Sequence, residues 1–248
     1  MKMNKKKIFT LALAVCLIAI LSLSSLAWFN DSDSVTNDFL VGGNGGNPDE
    51  IFSLDVYEAV DENRDGKVDY TVGWEGDTNP EGAGVFAYEN VVPGDLLLKR
   101  VYAHNKGMYD QWVRFKITFN NAANWKALEE KYDINLYDIL VLKDTNTKLV
   151  DSADWTFAAD ETVEDAAADT ITYVFYCNKV VEADATSPWV ILFHYVKIPY
   201  QFDQHDMALF ANGQFQLTAV GEAVQVENIK ADNAIDAFAI VSGAKPNN

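Results

Sequence analysis

Asp61-Glu62-Asn63-Arg64-Asp65-Gly66-Lys67-Val68-Asp69 is the segment best equipped for chemistry in this chain. Oxygen-bearing side chains stand at its first, third, fifth and ninth positions, and glycine stands at its sixth. Ca²⁺ is a hard cation that takes about six to eight oxygen ligands, and a tight turn with carboxylates at alternate positions can aim them inward. Asp61, Asn63, Asp65 and Asp69 are the candidate side-chain ligands, and the Lys67 carbonyl would add one from the main chain. The twelfth position is Val72, where an EF-hand needs a bidentate Glu. The flanks, Phe52–Val60 and Val68–Val72, read as strands. The loop therefore predicts a strand-loop-strand calcium site of the kind found in extracellular β-proteins. The same residues also suit a plain hairpin turn, because Asp and Asn favour the bend.

Other chemistries find little support. The chain has three histidines, His104, His194 and His205, and no His-Glu-x-x-His pattern for zinc. No Gly-x-Ser-x-Gly elbow, phosphate loop or dinucleotide fingerprint occurs. Gln201–Asp206 reads as a polar surface turn. With 37 acidic residues, carboxylate pairs arise by chance and nominate no site. No catalytic residue is assigned, and the chain is read as a non-enzyme. Its 11 Tyr and 6 Trp scatter through strand-like segments, as core and interface packing requires.

The compartment follows from the first 28 residues. Met1–Lys7 is basic, Ile8–Leu23 is apolar apart from Thr10 and Ser22, and Ser25-Leu26-Ala27 has the small-x-small form that a signal peptidase cuts. Cleavage is expected between Ala27 and Trp28, although the apolar run is long enough to serve instead as an uncleaved anchor. Val15 before Cys16 and the apolar residues after it do not suit a lipoprotein cysteine. Removal of the leader leaves 15 basic residues against 37 acidic ones, a formal charge of −22. Such a charge disfavours nucleic acid and anionic membrane surfaces as partners. The remaining Cys177 has no disulfide partner in its own chain and sits in an apolar run, which predicts a buried, inert thiol.

Beyond the leader, Trp28–Val41 is a short extended segment, and Gly42–Gly46 carries four glycines in five residues, a flexible joint. From Ile51 on, apolar and polar residues alternate: Val113, Phe115, Ile117 and Phe119 against Arg114, Lys116 and Thr118, and Phe215, Leu217 and Ala219 against Gln216 and Thr218. Val190–Val196 is almost continuously apolar, as in a strand buried on both faces or covered by a neighbour. Helices are expected over Ala122–Tyr132, with Glu129 and Glu130 facing solvent, and over Ala234–Val241, with Asp232 as N-cap and Gly243 as stop. Asp160–Asp169 reads as a solvated acidic loop. These patterns predict an all-β protein with minor helices: an antiparallel β-sandwich of jelly-roll type, about eight to ten strands and one or two inserted helices. The parts are a signal peptide (1–27), a mobile N-terminal segment with its Gly-rich linker (28–50) and the sandwich domain (51–248).

Several segments together resemble the TasA, CalY and camelysin-like proteins of Gram-positive bacteria, which the dedicated signal peptidase SipW processes. They are Lys5-Lys6-Lys7 with the apolar core, Leu26–Asp33, Asn37–Gly42, Val91-Val92-Pro93-Gly94-Asp95, Val101–Gly107, Phe175–Val181 and Val220–Gln225. The resemblance implies a secreted jelly-roll subunit of biofilm matrix fibres, at the cell surface or in the matrix. Its implied partners are copies of itself, a SipW-type peptidase and a matrix or anchoring protein. It also implies that the freed N-terminal segment pairs as a strand with the next subunit. On that reading Trp28, Phe29, Val35 and Phe39 fill pockets in the neighbour, while backbone hydrogen bonds join the chains. The alternative is that Trp28–Val41 folds back as an edge strand of its own domain. The Asp61–Asp69 loop and the Gly-rich joint depart from the family pattern. A calcium-ordered binding module is the second function considered. The metallopeptidase activity claimed for camelysin-type members finds no zinc-ligand pattern here.

Overall fold

The computed structural model describes residues 29–31, 34–35, 54–61, 63–72, 87–88, 91–183, 189–211, 215–227 and 229–243. In chain order the strands and helices are β1 (Phe29–Asp31), β2 (Ser34–Val35), β3 (Leu54–Val60), β4 (Tyr70–Val72), β5 (Ala87–Tyr88), β6 (Leu96–Asn105), β7 (Gln111–Asn120), α1 (Ala122–Tyr132), β8 (Leu140–Val141), β9 (Trp155–Phe157), β10 (Val163–Asp165), β11 (Thr170–Cys177), β12 (Trp189–Lys197), α2 (Gln204–Ala211), β13 (Phe215–Gln225) and α3 (Ala234–Val241). The protein is mostly antiparallel β-sheet, with three helices among the described residues. The thirteen strands among the described residues exceed the eight to ten expected, because seven of them are only two or three residues long. Pieces that short show no periodicity.

The strands form two sheets. The larger runs β10-β11-β7-β13-β1-β5, with β9 paired to β11 and β2 to β13; the smaller runs β4-β3-β6-β12-β8. Leu54, Val56, Val101 and Ala103 of the smaller sheet share one buried core with Val113, Phe115, Ile117, Phe119, Leu217 and Ala219 of the larger. This is the alternation seen in the sequence, now facing inward between two layers. The layers approach closely at Gly221, where a Cβ would lie 2.5 Å from Val56 Cγ2. Within the smaller sheet, Lys99 Nζ donates to Glu58 Oε1 at 2.5 Å, and both side chains are about 2% exposed. Each neutralises the other where an isolated charge would be costly.

Part of the outward face of the larger sheet is covered as well. Trp112, Val174, Tyr176 and Val224 pack with Ala234, Ala237 and Phe238 of α3 in a second apolar cluster. Arg114 lies beneath the helix, 4.2 Å from the Phe238 ring centre, donating from Nε to Glu222 and from an Nη to the Tyr176 hydroxyl. Lys116 Nζ donates to the other Glu222 oxygen at 2.6 Å. Desolvation and the Glu161 carboxylate outweigh Arg114 and push the Tyr176 phenol up to about 12.

Four local expectations need correction. Gln201–Asp206 is not only a turn, because Gln204 starts α2. Asp203 Oδ1 accepts from Asp206 N, and Asp206 Oδ2 accepts from Asp203 N, a reciprocal capping box. The N-cap of α3 is Asn233, which accepts from Asp236 N, and not Asp232; Gly243 follows the helix with φ +75°. Glu129 is half-buried instead of solvent-facing, since its Oε1 accepts from Leu136 N, and burial raises its carboxyl pKa. Part of the acidic run is structural: Val163–Asp165 is an exposed edge strand, and Asp169 caps α1 through its carbonyl and carboxylate. As expected, Cys177 is buried, and burial raises its thiol pKa.

Candidate functional site

The Asp61–Asp69 loop joins β3 to β4. Asp61 is buried at its base, with 4% exposure, while Asn63–Asp69 are exposed. Asp61 accepts from Asp65 N and Gly66 N, one on each carboxylate oxygen, at 3.1 and 2.7 Å. Asn63 Oδ1 accepts from Asp65 N and Asp65 Oδ1 from Lys67 N, each at 2.9 Å. Asp69 accepts from the main chain and the side chain of Asn63. Gly66 has φ +85°, a conformation cheap for glycine. Arg64 is also left-handed at φ +61°, and its guanidinium reaches Asp95 at 3.1 Å. The loop is thus both self-bonded and moored to the Val92–Asp95 turn. Its oxygen-only donors have the chemistry Ca²⁺ prefers, and a carboxylate has lone pairs left after accepting one N–H. The same donors hold the turn with no cation: among the described residues no three acidic, His or Cys groups converge as metal ligands.

The second place is the edge of β13. One side of β13 pairs antiparallel with β7 over Leu217–Gln225, and the other side receives β1 and β2 in parallel. Phe29 stands opposite Phe215 and Ser34 opposite Val220, an offset of 186 positions in both, so the two short strands share one register. β1 also pairs antiparallel with β5, through Phe29 opposite Tyr88 and Asn30 opposite Ala87. It therefore fills a slot between β13 and β5. Among the described residues these are the only parallel pairings, and parallel ladders are slightly weaker per residue. Of the nominated donor residues, Phe29 and Val35 lie in this ladder; Trp28 and Phe39, the cleavage residue Ala27 and the joint Gly42–Gly46 lie outside the described residues. No local pattern could have nominated β13, because its partner is 186 residues away.

Two of the segments that carry the resemblance, Val91–Asp95 and Val101–Gly107, contain tight turns. In Val92-Pro93-Gly94-Asp95, Asp95 N donates to Val92 O, Gly94 has φ +89°, and the Asp95 carboxylate accepts from Val92 N. In Asn105-Lys106-Gly107, the buried Asn105 amide donates to the Tyr109 and Val181 carbonyls and accepts from Gly107 N. The three histidines stand on β6, β12 and α2. His104 stacks on Trp189 at 3.9 Å, beside Tyr57 and Tyr102. Burial lowers the pKa of both His104 and His194, with Lys106 adding to the effect on the first and Arg100 on the second.

Comparison with family models, with curated proteins and with solved structures gave no match.

Proposed function

We propose that this chain is a secreted structural subunit that assembles head-to-tail into extracellular matrix fibres by donating its N-terminal strand. The sandwich is taken to be a jelly roll: from β5 to β9 successive strands alternate between the two sheets, and the chain crosses again at β12 and β13, as such folds require. The observation that carries the proposal is the slot between β13 and β5. A segment that begins beside the expected cleavage site occupies it, through a short parallel ladder in one continuous register. Within one chain this is the folded-back arrangement. A Gly-rich joint would let the same segment reach the equivalent slot of a neighbour, leaving each subunit with one strand to give and one slot to fill. Such a contact need not close and propagates as a filament. The leader and turn motifs shared with the TasA-like pattern support the same reading.

The test is deletion of residues 28–41. The shortened chain should remain folded by circular dichroism and form no fibres in electron micrographs, while the parent forms them as concentration rises. Fibres unaltered by the deletion refute strand donation.

The second reading, a calcium-ordered module, rests on the oxygen-lined loop moored by Arg64 to Asp95. Calorimetric titration with Ca²⁺ should give heat with the parent and none with the Asp61→Ala/Asp65→Ala variant; a silent parent ends that reading.

A further inference from the structure

A cleft of about 260 Å³ opens where the ends of β12 and β8 meet the loop after α1 and the Thr145–Lys148 turn. Ile139 and Val141 line it and are buried, which makes an apolar floor. Its rim is polar, with Asn146 and Gln201 among the lining residues. Tyr200 stands at the mouth with 82% exposure, the most exposed large apolar side chain among the described residues. Two lysines face one acid here: Lys148 pairs with Asp138 at 2.8 Å, and Lys197 makes no ion pair among the described residues. The Lys197 ammonium has one carbonyl, that of Thr145, at 3.3 Å. The neighbouring Asp144 carboxylate is engaged by the main chain of Asn146 and Thr147 and by the Thr147 hydroxyl. In a chain with 37 acids against 19 bases, the charged side chains lining this cleft are two lysines and one acid.

We infer that the cleft beside Tyr200 binds an anionic sugar of the uronic-acid class. An exposed aromatic ring stacks on the C–H face of a pyranose, side-chain amides both donate to and accept from hydroxyls, and an ammonium held only by a carbonyl takes the carboxylate in a charge-assisted bond. The volume lies just below the range of small-molecule pockets, about 300–1,000 Å³. It suits one or two sugar rings and is too small for a helix about 10 Å across. The cleft lies at the β8 edge of the smaller sheet, and none of its lining residues belongs to β1, β5 or β13, so the assignment does not rest on the fibre reading.

The experiment is calorimetric titration of the purified chain with tetragalacturonate, with maltotetraose and a tetraglutamate peptide in parallel. Saturable binding of tetragalacturonate is expected, weakened about tenfold or more by Lys197→Gln and by Tyr200→Ala, and by added salt. Tyr200→Phe keeps the ring and should keep the affinity. Maltotetraose, lacking the carboxylate, should bind about tenfold more weakly or worse. Both variant positions are exposed, so circular dichroism should match the parent. No saturation with tetragalacturonate, affinity unchanged in Lys197→Gln and Tyr200→Ala, or equally tight binding of the peptide each overturns the assignment.

Discussion

Replacing Gly221 with alanine tests the packing of the two sheets where this glycine meets Val56. The added Cβ would lie 2.5 Å from Val56 Cγ2, 3.3 Å from Phe115 Cε1 and 3.4 Å from Leu54 Cδ2. Carbon atoms prefer separations of about 3.5–4.0 Å, so the Val56 contact alone needs about 1 Å of movement. Val56 is β-branched and stiff at χ1, and it is 2% exposed, so it cannot swing into open space. Over-packing of this kind costs about 1–3 kcal/mol. Loss of glycine's backbone freedom in a strand returns about 0.5–1 kcal/mol. The net expectation is a loss of about 1–2 kcal/mol, read as a lower urea midpoint at unchanged slope in tryptophan fluorescence. The Val56→Ala background removes the clashing methyl. There Gly221→Ala should cost nothing or stabilise, giving a coupling of about 1 kcal/mol or more in a double-mutant cycle. Strict additivity, or an alanine variant as stable as the parent, would show that the sheets do not meet at this glycine.

The buried ion pair gives a second expectation: Lys99→Met alone strands the Glu58 carboxylate and should cost about 3–5 kcal/mol, while Glu58→Leu/Lys99→Met together should return close to the parent's stability. Denaturation midpoints of the three variants decide it, and a double variant as unstable as the single one counts against the reasoning. The third concerns pH. Burial holds His104 and His194 below the ordinary value of 6.5, so the unfolded chain takes up protons there that the folded chain refuses. Their contribution is therefore complete above about pH 6.5 and lost as pH falls through the lower folded values. The urea midpoint should be lower at about pH 5.5 than at about pH 7.5, with a smaller difference in His104→Asn/His194→Asn. Glu129, raised by burial, acts in the opposite sense, and measuring both proteins in a Glu129→Gln background isolates the histidine effect.

The strands longest in sequence were the most legible. Val113–Phe119 alternates because one face meets the other sheet, and the polar positions between them gave an honest period of two. What alternation could not reveal is that Arg114 lies under Phe238 of α3 and that Arg114 and Lys116 both pair with Glu222, since a charged residue in a strand looks the same whether it meets water or a carboxylate. The helix α2 had a readable signal, Asp203 followed three residues later by Asp206, but its eight residues are too few for a helical period to stand out. At the calcium-like loop the residue types were legible and the hydrogen bonds were not, because the same Asp and Asn oxygens can serve a cation or a turn. The β13 slot and the Tyr200 cleft are assembled from residues far apart in sequence, and neither leaves a local trace.

The parallel sense of the β1–β13 ladder has a directional consequence. Were the leading strand exchanged between copies with that sense kept, every molecule would enter the polymer facing the same way. The two tips would then differ chemically, one offering a vacant groove and the other a loose ribbon. Elongation at the two tips would proceed at unequal rates, and a cap designed for one would leave the other growing.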